Sequence, residues 1–249
     1  MRYVDQLELI GEEAKQVNVV YGKRTLSFFV DDQFIYESMK KTTRPYEYPM
    51  LKWIEQNING GSFIDVGSNF GNHAVFFASF CTEDTVFAYE PIPRNFQLLV
   101  ANTVNNGLLN IVPIQRGVGK EPGVMGYSKN PEERWSQCRL VNYSSEDADS
   151  GRIMVSTLDE DLSHVQDIRL LKIDCEGMEY EVLKGSRKIL HEQHPEIFVE
   201  IFDEDERQII EQTILFPAGY TLIERYNEAP TYHYSASGRF PVTYTPPVK

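Results

Sequence analysis

From Phe63 onward the chain alternates short apolar runs with segments of helical period, and this alternation restricts the fold more than any other feature. Apolar runs stand at Phe63–Val66, Thr85–Tyr89, Ile111–Gln115, Arg169–Ile173 and Glu196–Ile201. They are rich in β-branched and aromatic residues, as strands covered on both faces are. Helical segments fall between them at about Asn72–Phe80, Pro93–Asn105 and Glu179–His191, with another at Asp205–Phe216. Crossovers of this length suit right-handed connections between parallel strands. The predicted fold class is α/β, a mostly parallel sheet with helices on both faces.

The flanks are less regular. Thr25–Val30 reads as a strand and Pro49–Ile58 as a helix stopped by Gly60-Gly61, so residues 1–59 are expected to form helical and extended cap elements on a domain of residues 60–249. Residues 117–152 break the alternation with Gly, Pro, Asn, Ser and charged residues, and carry Tyr127, Trp135 and Tyr143. This stretch reads as an insertion or a pair of irregular hairpins. Tyr220–Arg225 and Tyr232–Tyr234 are predicted to close the chain as an antiparallel pair. A length of 249 residues fits one large domain, or one domain with an appendage.

Charge narrows the partners. Against 24 Lys and Arg stand 37 Asp and Glu, a net charge of −13, and a field of that sign repels phosphate backbones. No nucleic-acid partner is expected. Apolar stretches break well before the roughly 20 residues a bilayer span needs. Met1–Gly11 lacks the pattern of a signal peptide. Cys81, Cys138 and Cys175 are odd in number and widely spaced, giving neither a disulfide framework nor a zinc pattern. A cytoplasmic protein is expected.

The first strand runs into Gly67-Ser68-Asn69-Phe70-Gly71-Asn72. Gly67 lets the backbone approach a ligand or take a positive φ, and Gly71 lets the next helix begin close to it. The form D-x-G-x-N-x-G lacks the Lys of a phosphate-binding loop, and has Asn69 and Asn72 where a dinucleotide fingerprint has glycines. Asp65 beside the turn suits an ammonium better than a pyrophosphate. Glu90, followed by Pro91, lies 23 residues after Gly67, the distance of an acid that holds a ribose diol across the sheet crevice.

A second set of acids, Asp174, Glu176 and Glu200, stands at or just beyond the C-terminal ends of two later strands, where open α/β sheets bind ligands. They could share a hard cation, position a hydroxyl or act as a base. The plainer alternative is that Glu176 and Glu179 are first-turn acids favoured by a helix dipole. His73, in the first turn after the glycines, is a candidate base, with packing or capping as the plainer role. Lys172 sits inside an apolar strand and must find a carboxylate or escape at an edge. His164, His191, His194 and His233 show no ligand spacing and read as surface residues.

The stretches FIDVGSNFGNHAVFFA, VFAYEPIPRNFQLLVANTVNNGL and LLKIDCEGMEYEVLKGS, in this order, resemble the FkbM-type family of S-adenosylmethionine-dependent methyltransferases over roughly Tyr46–Glu200. Cys175 and Met178 stand where the family commonly has Val and Ala, and Ser68 where it commonly has Ala. The resemblance implies a class I methyltransferase Rossmann-like fold, a seven-stranded sheet with one antiparallel strand near the C-terminus. It implies that Asp65, Gly67, Ser68, Asn69, Gly71 and Asn72 surround the methionine end of S-adenosyl-L-methionine, that Glu90 and Pro91 lie at its ribose, and that Glu47 of the upstream Tyr46-Glu47 element closes over it. It implies O-methylation, often of sugar hydroxyls in glycans and glycolipids.

An alcohol is a weak nucleophile while protonated, so His73, Asp174, Glu176 and Glu200 are the candidates to lower the cost of its proton. Alternatively, Asp174 and Glu200 would hold Mg2+ or another divalent cation. The 117–152 stretch, with its aromatics, is the expected site of acceptor recognition, and a homodimer is compatible with the sequence. Two other functions fit the same motifs: O-methylation of a non-carbohydrate small molecule, and a catalytically inactive cofactor-binding module.

Overall fold

The computed structural model describes residues 14–128, 138–143, 151–236, 238 and 240–245. It opens on a hairpin that only half-announced itself in the sequence. Strand β1 (Lys15–Tyr21) pairs antiparallel with β2 (Arg24–Val30) across Gly22-Lys23. The other edge of β2 is met by side chains of the helix Pro93–Asn105 and the residue that ends it. The Asn102 amide accepts from the Phe29 N–H at 2.7 Å and donates to the Phe29 carbonyl at 3.0 Å. Asn106 does the same for Ser27, at 2.9 and 2.8 Å. Two amides four residues apart on a helix thus stand in for a third strand and leave that edge no free pairing groups at these positions.

The main sheet has seven strands in the order β5-β4-β3-β10-β11-β13-β12. These are β3 (Ser62–Val66), β4 (Val86–Tyr89), β5 (Ile111–Ile114), β10 (Ile168–Ile173), β11 (Glu196–Glu200), β12 (Thr221–Tyr226) and β13 (Thr231–Ser235). All neighbours pair parallel except around β13, which is antiparallel to both β11 and β12. This is the class I methyltransferase arrangement, an α/β fold with one reversed strand. Chain order turns back between β3 and β10, and at such a switch point the two strand ends part to leave a crevice.

Strand alternation divides the interior in two. Phe63, Ala88, Leu170 and Phe198 pack with the N-terminal hairpin and the helices Asn72–Phe80 and Pro93–Asn105. Ile64, Val66, Leu171, Ile173, Ile197 and Val199 pack on the other face with Val182, Leu190 and Leu215. Neighbours in one strand therefore serve different cores, which is why these strands read as unbroken apolar runs.

A second sheet, order β6-β9-β7-β8, is built from β6 (Gly117–Val118), β7 (Gly123–Ser128), β8 (Arg139–Asn142) and β9 (Ile153–Ser156). Two helices differ from expectation. The segment Glu179–His191 divides into Glu179–Lys184 and Arg187–Glu192, because Gly185 packs against the Gly119 backbone: a Cβ there would lie 2.0 Å from the Gly119 carbonyl oxygen. The segment Asp205–Phe216 is α-helical over Glu204–Ile210 and continues as a π-helical turn, Glu211–Leu215. His233, read as a surface residue, is wholly buried; it stacks on Phe198 at 4.4 Å and pairs with Glu196 at 2.9 Å. Trp135 lies outside the described residues. Among the described residues no helix is long and apolar enough to cross a membrane.

Candidate functional site

Two clefts open at the C-terminal ends of the central strands and share four lining residues, Gly67, Asn69, Asp174 and Glu176. The first occupies about 600 Å³ and runs past Glu90, Pro91 and Ile92 to Gly117, Val118, Cys138 and Leu140 of the small sheet. The second, about 790 Å³, reaches His73, Glu47, Lys172 and Glu200, with Phe34, Tyr46 and Phe202 along it.

The Gly67 turn is wound tightly between them. Its amides at Gly67 and Ser68 both donate to the Tyr89 carbonyl, and the Asp174 amide donates to that of Val66. Gly67, Asn69 and Gly71 all have positive φ. Ser68 donates its hydroxyl to the Asp65 carbonyl. Gly71 lines neither cleft; a Cβ there would meet Leu99 at 2.7 Å, so its task is close packing at the helix start. Asn72 gives both ends of its amide to the Tyr46 backbone, at 3.0 and 3.1 Å, and so clamps the segment that carries Glu47.

Glu90 is buried and aimed at the first cleft. Its carboxylate accepts from the Asn69 amide at 2.8 Å and the Ile92 amide at 2.9 Å. Burial pushes its pKa up to about 7, against the pull of the Ile92, Asn69 and Asn95 hydrogen bonds. The residue expected at the ribose therefore also fixes the turn. Glu176, at positive φ, and Gly177 make the loop after β10, and Glu179 holds it by accepting from the Cys175 and Gly177 amides.

Asp65 does not reach either cleft, contrary to expectation. It is wholly buried, and its Oδ1 lies 3.4 Å from the Lys172 ammonium. Lys172 is its cross-strand neighbour on β10 and reaches Asp174 Oδ2 at 3.2 Å as well. Burial alone would lower the lysine pKa; Asp174, Asp65 and Glu47 overcome this and hold it charged, well above its usual range. Of the two outcomes open to Lys172 in the sequence, a carboxylate partner or escape at an edge, the structure shows the first. The useful signal was its position two residues before Asp174 in a strand otherwise fit for the sheet centre.

His73 and Glu47 form a buried pair, Nε2 to Oε2 at 3.0 Å. Glu200 is partly buried. Loss of solvent, then the charges of Asp174 and Glu47, raise its pKa to about 9 despite Lys172. The shift favours its protonated form, which suits it to donate a hydrogen bond.

The donor set fits an adenosyl sulfonium ligand: a carboxylate for a diol in one cleft, and acids around a positive sulfur in the other. It fits a divalent ion poorly. Asp174 is already paired with Lys172, and among the described residues no three His, Cys, Asp or Glu side chains converge as a metal-binding group.

Fold and crevice together define a class I methyltransferase domain. The methyltransferase FkbM domain profile matches residues 65–222, and the chain belongs to that family. It is 29% identical over 130 residues to the hexuronic acid methyltransferase AglP of Haloferax volcanii, covering 51% of this chain and 50% of that one. It is 24% identical over 191 residues to methyltransferase 1 of Beauveria bassiana, covering 67% and 75%. A crystal structure of a methyltransferase FkbM from Methylobacillus flagellatus superposes with a TM-score of 0.49 at 16% identity, covering 82% of this chain and 55% of that one. The chain thus spans about half the length of two of these three relatives.

Proposed function

We propose that this chain is an S-adenosylmethionine-dependent O-methyltransferase acting on a sugar hydroxyl of a glycan or glycolipid. The observation that carries the reading is the meeting of two chemically different clefts at the Gly67–Asn69 turn, with Glu90 at one end and the Glu47–His73 pair at the other. When bound, the cofactor supplies a methyl group already activated by its sulfonium charge.

The residues then have three tasks. Glu90 and Pro91 hold the ribose end in the first cleft. The Gly67 and Asn69 backbone fixes the path between the clefts, so that an acceptor oxygen in the second cleft meets the methyl group in line. The His73–Glu47 pair takes the hydroxyl proton, while Glu200 donates to a neighbouring oxygen of the acceptor. The pair would hold the proton that the hydroxyl gives up as its oxygen takes the methyl group.

The second cleft supports a sugar acceptor. Phe34 and Phe202, 57% and 69% exposed, line it and offer faces to the apolar side of a sugar ring. Of residues 117–152, Gly117, Val118, Cys138 and Leu140 wall the Glu90 end, and neither Tyr127 nor Tyr143 lines either cleft. The name of the Haloferax volcanii relative, a hexuronic acid methyltransferase, supports a carbohydrate acceptor too.

Calorimetric titration with S-adenosylmethionine, followed by mass spectrometry of a sugar panel incubated with enzyme and cofactor, tests the reading. Binding that is lost in Glu90→Ala, together with a methylated sugar, is expected. Absence of cofactor binding would overturn it.

A further inference from the structure

The reaction leaves one buried charge without a task. Lys172 is 2% exposed in the middle of the sheet, between β3 and β11. Its stem carries the ammonium to the strand ends, where it meets Asp174 Oδ2 at 3.2 Å, Asp65 Oδ1 at 3.4 Å and the Gly67 carbonyl at 3.4 Å. An ammonium has three protons to place, and a buried one is costly unless all are matched. Here Asp174 Oδ2 and the Gly67 carbonyl accept from it, and Asp65 Oδ1 stands beside it as an ion pair, so three segments meet at the ammonium: β3, the turn after it and the residue after β10.

The dependence runs both ways. Neither Asp65 oxygen accepts a hydrogen bond, so the lysine is what compensates that buried charge. Asp174 projects into both clefts, and its charge would otherwise stand uncompensated beside Glu176 and Glu200. A divalent ion taken up by Asp174 would have to compete with an ammonium that is already tethered.

We propose that Lys172 is a positioning residue, the built-in cation of this site. It neutralises Asp65 and Asp174 and ties the Gly67 turn to the end of β10, and so holds the junction of the two clefts ready for the cofactor without a divalent ion. The identity of the cofactor rests on the function proposed above; the role of the lysine does not depend on the acceptor.

The test reads S-adenosylhomocysteine affinity by calorimetry and needs no acceptor. Lys172→Met is expected to bind at least tenfold more weakly than the wild type. The charge-balanced variant Lys172→Met/Asp65→Asn carries no unpaired buried carboxylate at position 65, so it serves if the single variant does not fold, with the same loss expected. Lys172→Ala is expected to regain affinity with propylammonium and not with propanol, which separates charge from filled volume. Wild-type affinity is expected to be unchanged by chelation of divalent ions. Affinity in a folded Met variant within twofold of wild type, equal rescue by propanol, or a wild type that loses affinity on chelation would each overturn the proposal. A wild type that binds no S-adenosylhomocysteine would overturn the cofactor reading along with it.

Discussion

Gly67 and Asp174 approach so closely that a Cβ on the glycine would lie 1.6 Å from the aspartate carbonyl oxygen. The ends of two central strands are thus in backbone contact at the junction of the two clefts, and only a residue without a side chain fits there. Gly67→Ala combines this clash with a φ of +77°. A loss of about 3 kcal/mol or more is expected, because backbone cannot give way as a side chain can. Gly71→Ala shares the positive φ, at +88°, but its close contact is the flexible end of Leu99 rather than backbone, so it should cost less, about 1–2 kcal/mol. Denaturant unfolding of the two variants checks the order.

Stability of the ligand-free protein should fall as pH rises. Glu90 and Glu200 have folded pKa values of about 7 and about 9, above the ordinary 4.5. The folded state therefore binds more protons than the unfolded chain between these values. The stabilisation is complete below about pH 4.5 and is lost as pH rises through 7 for Glu90 and through 9 for Glu200. Thermal unfolding from pH 5 to 9 measures it. Glu200→Gln should flatten the upper part of the curve and raise the melting temperature at pH 9, since a neutral amide is spared the buried charge.

The Glu47–His73 pair should affect turnover more than binding. His73→Ala and Glu47→Gln are each expected to lower kcat by about 10²–10⁴-fold, the usual span for a lost proton acceptor, with cofactor affinity changed less than tenfold. Equal losses in both variants would show the two acting as one unit. Single-turnover assays and calorimetry separate the effects.

Asn102 offers a test of how the N-terminal hairpin is attached. Its amide makes three buried bonds, two to Phe29 and one to the Phe70 carbonyl at 2.7 Å, so a single side chain joins β2, the glycine turn and a helix. Asn102→Ala should cost about 2–4 kcal/mol, as the backbone groups it served are left unpaired. Earlier proteolytic cleavage within residues 14–47 is also expected.

The central strands were legible because burial on both faces leaves an apolar run that few other elements imitate. Strand β1 was not: Lys15–Tyr21 exposes most of its residues and pairs on one edge only, so Lys, Gln and Asn interrupt its apolar positions. The small sheet was obscured in the same way, by a two-residue strand and by exposed positions such as Val124 and Met154. In the site, spacing along the chain placed Glu90 and Asp174 well, because each follows a strand end directly. It did not show that Asp65 and Lys172 lie side by side on paired strands 107 positions apart, a register that sequence alone does not print.

The double duty of Glu90 has a consequence for how this protein can change. One carboxylate oxygen secures the Asn69 amide and the other the Ile92 amide, while the same group faces the first cleft. A substitution that retunes the cleft for a different nucleoside also releases both backbone segments. Altered cofactor preference is therefore out of reach in one step, and any route to it passes first through a replacement lock for the turn.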